Sequence, residues 1–175
     1  MKTRLTLFIS CLLILQANVN AQSNLIPYKA GHIFDISLPE YMSKTFGLNN
    51  AATIQYKSVV KDVYGFVILD TKEELKLAEM TFVSINDFYD NFIKDFLKDE
   101  KKRRISRVQY QKIEEVNFAE SDASYYDNEA KTEIYYLVGI VETKNAFYKV
   151  LSWASIENKD KFKADFQKIL YSIKD

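Results

Sequence analysis

The sequence predicts an α+β domain, built as a three-layer α/β/α sandwich around a mainly antiparallel sheet of about six strands. Three observations carry that expectation. Residues 132–158 form two long apolar and aromatic segments around a Thr143-Lys144-Asn145-Ala146 turn. In the first segment both alternating sets are apolar, Ile134, Tyr136, Val138 and Ile140 against Tyr135, Leu137 and Val141, so such strands need cover on both faces. Two stretches then repeat at helical spacing, Ile85, Phe88, Tyr89, Phe92, Ile93, Phe96 and Leu97 in one and Phe162, Phe166, Ile169, Leu170 and Ile173 in the other. Two amphipathic helices and a sheet buried on both sides make three layers.

Taken in chain order, the first 21 residues read as a removable leader. Lys2 and Arg4 precede an apolar run over residues 5–15, and small and polar residues follow, ending in Val19-Asn20-Ala21. This is the layout of a secretory signal peptide, and the run is too short to span a bilayer. Cleavage after Ala21 removes Cys11, the sole cysteine, so the mature chain has no disulfide and no thiol chemistry. Cys11 as a lipidated anchor is the competing reading. A lipobox cysteine ends the apolar region, however, whereas here Leu12, Leu13, Ile14 and Leu15 continue it.

The full chain balances 24 basic against 24 acidic residues, and loss of Lys2 and Arg4 leaves the mature part slightly acidic. That balance gives no global footprint for nucleic acid. With four Gly and two Pro in 175 residues there is no linker, so a short lead over residues 22–30 is expected to enter one domain over residues 31–175.

Within that domain Phe34, Ile36 and Leu38 alternate with Ile33, Asp35 and Ser37 before Pro39, which predicts a first strand. Residues 51–60 and 62–74 are rich in β-branched and aromatic residues around a Lys61-Asp62 turn, and predict an antiparallel pair. Ser84 is the expected N-cap of the first helix, with Asp87 at its third position. Residues 105–118 and 120–129 predict two further strands. Trp153, in the second segment of the closing hairpin, is expected to be buried, and Asn158 is the expected cap of the last helix.

Residues 98–107, KDEKKRRISR, place six cations and two acids in ten positions. The structural reading makes them the basic end of the helix begun at Ser84, since cations stabilise the orphan carbonyls of a helix C-terminus. The functional reading makes Lys98, Lys101, Lys102, Arg103, Arg104 and Arg107 an interaction surface for an acidic protein, with peripheral contact to an anionic membrane as a lesser candidate.

No catalytic constellation stands out. His32 has no second histidine and no serine elbow to serve, and it is expected to be a solvated or capping residue. Gly31, Gly47, Gly65 and Gly139 are isolated, so they build no phosphate loop. Glu120, Asp122, Asp127 and Glu129 form an acidic cluster without the spacing of a calcium loop, and a solvated turn is expected there. Tyr125 and Tyr126, with Tyr135 and Tyr136, could make an aromatic ligand patch. Neighbours in a strand point to opposite faces, though, so packing is the expectation.

The strand-then-proline FDISLP, the mid-chain helix, the hairpin YYLVGIVETKNAFYKVLSWAS and the closing helix FKADFQKILYSIK together resemble the PsbP-like fold superfamily, over residues 31–174. That superfamily includes small exported bacterial envelope proteins of the DcrB kind. The resemblance implies a PsbP-like α/β domain that acts as a protein-binding surface in the envelope, with no shared active site or cofactor to carry over. The expected protein is thus an exported, periplasmic or extracellular, non-catalytic adaptor with an unidentified protein partner, no cofactor and no nucleic acid. The alternatives are a secreted hydrolase with an unrecognised carboxylate site and a lipoprotein anchored through Cys11.

Export with loss of residues 1–21 predicts that the intact mass of the native protein starts at Gln22. A species that retains Met1, or a diacylglyceryl Cys11, would overturn the leader reading.

Overall fold

The structure, a computed structural model, describes residues 23–175; the expected leader and Cys11 lie outside the described residues. A hairpin of β1 (Leu25–Ala30) and β2 (Phe34–Pro39) opens the fold, followed by the two-residue strand β3 (Ser43–Lys44). Next come β4 (Ile54–Ser58), β5 (Val63–Thr71) and helices α1 (Lys72–Leu77) and α2 (Ile85–Asp95). The second half contributes β6 (Lys101–Ile105), β7 (Gln109–Ile113), β8 (Val116–Asp127), β9 (Thr132–Glu142) and β10 (Ala146–Ser155). A 3-10 turn at Ile156–Asn158 leads into α3 (Lys159–Tyr171).

Eight strands form one sheet in the order β3-β4-β5-β10-β9-β8-β6, with β7 also paired to β8. Every pair in it is antiparallel. Helix α2 covers one face, and α3 with the β1–β2 hairpin covers the other. The predicted three-layer α+β architecture is therefore present.

The double alternation of β9 works as expected. Tyr135, Leu137 and Val141 enter the core under α3, while Val138 and Ile140 enter the core under α2. On the α2 side Phe88 stacks on Phe147 with ring centroids 4.3 Å apart. On the α3 side Phe34, Ile36 and Leu38 of β2 are each buried with Phe166, Ile169 and Leu170. Burial of each such side chain contributes about 1.5–3 kcal/mol, and the β9–β10 hairpin supplies buried residues to both cores.

Five expectations are corrected. The lead over residues 22–30 contains β1, which pairs with β2 along its whole length. Pro27 weakens its strand signal, yet a proline is tolerated on an edge strand such as this. The predicted strand over residues 62–74 stops at Thr71, because Thr71 and Glu74 form a capping box that starts α1. Residues 105–118 are split among the end of β6, β7, a Glu114-Glu115 turn and the start of β8, and β8 then runs unbroken to Asp127, so the sheet has eight strands, not about six.

Trp153, finally, is only half-buried. It packs at the margin of the α2-side core, stacked between Tyr64 and Tyr136 at 5.5 and 5.4 Å. The caps divide similarly. Ser84 accepts the Asp87 N–H as expected, while Asn158 turns its side chain to Ser155 and caps no N–H of α3.

Gly139 of β9 is where α3 meets the sheet. A Cβ there would stand 2.4 Å from a Leu170 methyl, inside any real contact distance. Gly139→Ala should therefore force Leu170 to shift against its packed neighbours and cost about 1–3 kcal/mol. Thermal unfolding reads this as a lowered Tm, and an unchanged Tm would show that α3 does not depend on that close approach.

Candidate interaction surface

The basic run does not continue the helix, which corrects the structural reading of residues 98–107. Helix α2 ends at Asp95; Phe96 is already extended and Leu97 has φ 57°, so the chain turns away. Of the six cations only Lys98 follows the helix directly, bonded to Asp95 at 2.9 Å. Lys101, Lys102, Arg103 and Arg104 form β6. Lys and Arg are good helix formers, and no alternation marks this stretch as a strand. Pairing with β8 imposes it.

The dipole argument survives through one residue only. From β6, the Arg103 guanidinium donates to the carbonyls of Ile93 at 2.5 Å and Phe96 at 2.8 Å. A cation thus does satisfy orphan carbonyls of α2, but from the adjoining strand. Arg103 is a structural residue for that reason.

The remaining cations line the edge of the sheet. A bulge interrupts β6 between Lys101 and Arg104, with Lys102 at φ 55°. Bulges and charged side chains are the usual means by which an edge strand refuses another strand. Lys101 donates to Asn128 at 3.2 Å, and the Lys102 ammonium lies 4.8 Å from the centre of the Tyr126 ring. Arg104 makes a long, mostly exposed pair with Glu133 at 3.5 Å. Arg107 is exposed, and among the described residues Lys101, Lys102 and Arg107 form no ion pair.

A shallow groove runs beside this edge, under α3. One cleft of about 330 Å³ is lined by Arg104, Glu133, Tyr135 and Lys159, and a second of about 240 Å³ by Arg107, Glu120 and Lys163. Ser106 and Asp122 line both. The carboxylates here are held tightly. Asp122 accepts from Lys159, Lys163 and the Tyr135 hydroxyl at 2.8, 2.8 and 2.9 Å. Glu120, buried, accepts from Gln167 at 2.7 Å and Tyr171 at 2.8 Å. Burial raises the Asp122 carboxyl, but its lysine and tyrosine donors more than offset that and leave it below the ordinary carboxylate value. Asp165, on α3, follows the same pattern: burial raises it, and Lys168, Ser23 and Tyr41 lower it further.

The acidic cluster noted in the sequence does not assemble. Glu120 and Asp122 face α3, whereas Asp127 closes the next turn by accepting the N–H groups of Glu129 and Ala130. Among the described residues no three His, Cys, Asp or Glu side chains converge on a common point. The tyrosines separate by face as expected, Tyr135 buried under α3 and Tyr136 packed by Phe96 on the α2 side. His32 is exposed in the β1–β2 turn. The Arg103 cap and the lysine clamp on Asp122 had no sequence signal: the cap needs the chain to turn back after Leu97, and the clamp joins β8 to α3.

Since the folded state holds Asp122 and Asp165 below their ordinary values, the unfolded chain takes up protons first as pH falls. The stability these pairs contribute is complete above about pH 4 and is lost as pH drops further, through the lowered folded values. Tm should therefore fall on acidification below about pH 4, and Asp122→Asn should flatten part of that decline. An acid limb unchanged by Asp122→Asn would show that the lysine clamp is not coupled to folding.

No protein-family model matches the sequence, and neither does any curated protein. Among solved structures, the chain is similar to the cyanobacterial PsbP protein CyanoP of Synechocystis, with TM-score 0.61 and 9% identity over 87% of this chain and 93% of that one. It is similar also to LpqN of Mycobacterium tuberculosis, a protein described as involved in cell envelope biogenesis, with TM-score 0.57 and 12% identity over 86% and 89% of the two chains. At these identities the likeness is one of fold: the chain has a PsbP-like fold.

Proposed function

We propose that this protein is a non-catalytic, exported domain of the cell envelope that docks a protein partner through the basic β6 edge. The observation that carries the reading is Lys101 and Lys102, exposed on β6 without a carboxylate partner among the described residues. Unpaired cations on one edge steer an acidic surface toward it and set the salt dependence of docking. The leader-like N-terminus supports export, and the fold shared with LpqN, described as involved in cell envelope biogenesis, supports an envelope setting.

The hydrolase alternative finds less support. A general acid needs a carboxyl that keeps its proton near neutral pH. Asp122 and Asp165 are instead shifted downward, and both oxygens of Glu120 are occupied by donors.

Lys101→Gln and Lys102→Gln combined should leave Tm within a few degrees of the parent, since Arg103 keeps the cap on α2. The variant should lose the salt-sensitive capture of a partner from envelope extract while binding to anionic vesicles stays as weak as the parent's. Unchanged capture, or a loss confined to vesicles, would overturn the proposal.

A further inference from the structure

The outer side of β8 is shared by two strands with unlike protection. β6 has a bulge, a positive φ and four cations. β7 has none of these features: its five residues pair with β8 without interruption, hold a single charge at Lys112 and are exposed throughout. An unguarded edge of this kind is a template for a further strand.

The hairpin determines which of its backbone groups are free. Glu114 and Glu115 form a two-residue loop, so Ile113 and Val116 exchange both backbone bonds, as do Gln111 with Phe118 and Gln109 with Glu120. Tyr110 and Lys112 alternate with these residues and turn N–H and C=O outward. Among the described residues nothing bonds to them there.

We infer that β7 is a homodimerisation edge, at which two copies of this chain pair antiparallel about a two-fold axis through Gln111 and continue one sheet across both. Only residues with outward groups can exchange bonds, and a register that opposes Lys112 to its own copy sets like charges together. With Gln111 on the axis, Tyr110 opposes Lys112 of the second copy, twice, and each ammonium meets an aromatic ring. The same register brings Arg107 toward Glu115 of the second copy. Arg107 has no ion-pair partner in its own chain, and the Glu115 side chain is 96% exposed, held only by a 3.4 Å contact to Lys112.

There is room for this arrangement. Strands about 4.8 Å apart separate the two β8 strands by roughly 14 Å, and α2 packs on β8 and β9 of its own copy, so the two α2 helices stay beyond the 8–10 Å of direct packing. Because the pairing is antiparallel, each β6 projects past the hairpin turn of the other copy, and the cationic edges do not face one another.

The test uses cysteines in full-length chain with Cys11→Ser as background. At the axis, Gln111 opposes itself as a non-bonded antiparallel pair, with Cα atoms about 4.5 Å apart, within disulfide reach. Gln111→Cys should give a covalent dimer under mild oxidation. Gln109→Cys alone should not, because it opposes Ile113, and adding Ile113→Cys to it should restore the crosslink. Without cysteines, light scattering should show the mass double with concentration. Lys112→Pro, which removes the outward N–H together with the ammonium that meets Tyr110, should abolish that doubling; if this variant fails to fold, the cysteine series still decides. Monomeric mass at every concentration, or equal crosslinking at positions 109 and 111, would overturn the inference, as would a monomer whose β7 takes up a foreign strand.

Discussion

The close approach of α3 to β9 at Gly139 is the contact on which the rest of the structure depends. A side chain at that position would hold Leu170 away from the sheet, and with it Phe166 and Ile169, which are fully buried in the same core. The β1–β2 hairpin packs on the same core, with Phe34 also edge-on to Tyr148 of β10 at 4.9 Å. Its inward residues Phe34, Ile36 and Leu38 rest in the core that α3 completes. The backbone just beyond α3 bonds back to β2, Asp35 with Lys174 and the Ser37 N–H with the Ser172 hydroxyl. The fit between these layers is thus tightest at one small residue, since packing at interior density leaves little slack to absorb a methyl group.

The same helix sets the electrostatics of the groove. Seated on β9, α3 presents Lys159 and Lys163 to Asp122, and Gln167 and Tyr171 to Glu120. Two acids of β8 that would otherwise oppose the cations of β6 and β7 are consumed inside the protein. Partially buried carboxylates are retained where donors saturate them. The outward consequence is an edge whose unpaired charge is positive in a chain that is nearly neutral.

β8 organises that edge by its length. Its twelve residues outrun any single neighbour, so two shorter strands share its outer side. One half is bulged and basic, with Arg103 recruited to cap α2, while the other is regular and almost uncharged. Guarding one half and leaving the other open confines strand addition to a segment of five residues.

Periodicity alone determined the fold class, both main helices, the doubly covered β9–β10 hairpin and the inward set of β2, because those features follow from which side chains must leave water. It also marked residues 98–107 as basic. What it did not reach depends on partners distant in sequence. KKRRI is a strand only because β8 offers ladder groups to it, and Arg103 caps a helix it does not belong to. Glu120 and Asp122 looked like members of one acidic cluster, yet a helix beginning nearly forty residues later claims them and leaves Asp127 to its turn. A local pattern records burial and propensity, whereas edge, pairing and charge neutralisation are properties of contacts that exist only once the chain has closed on itself.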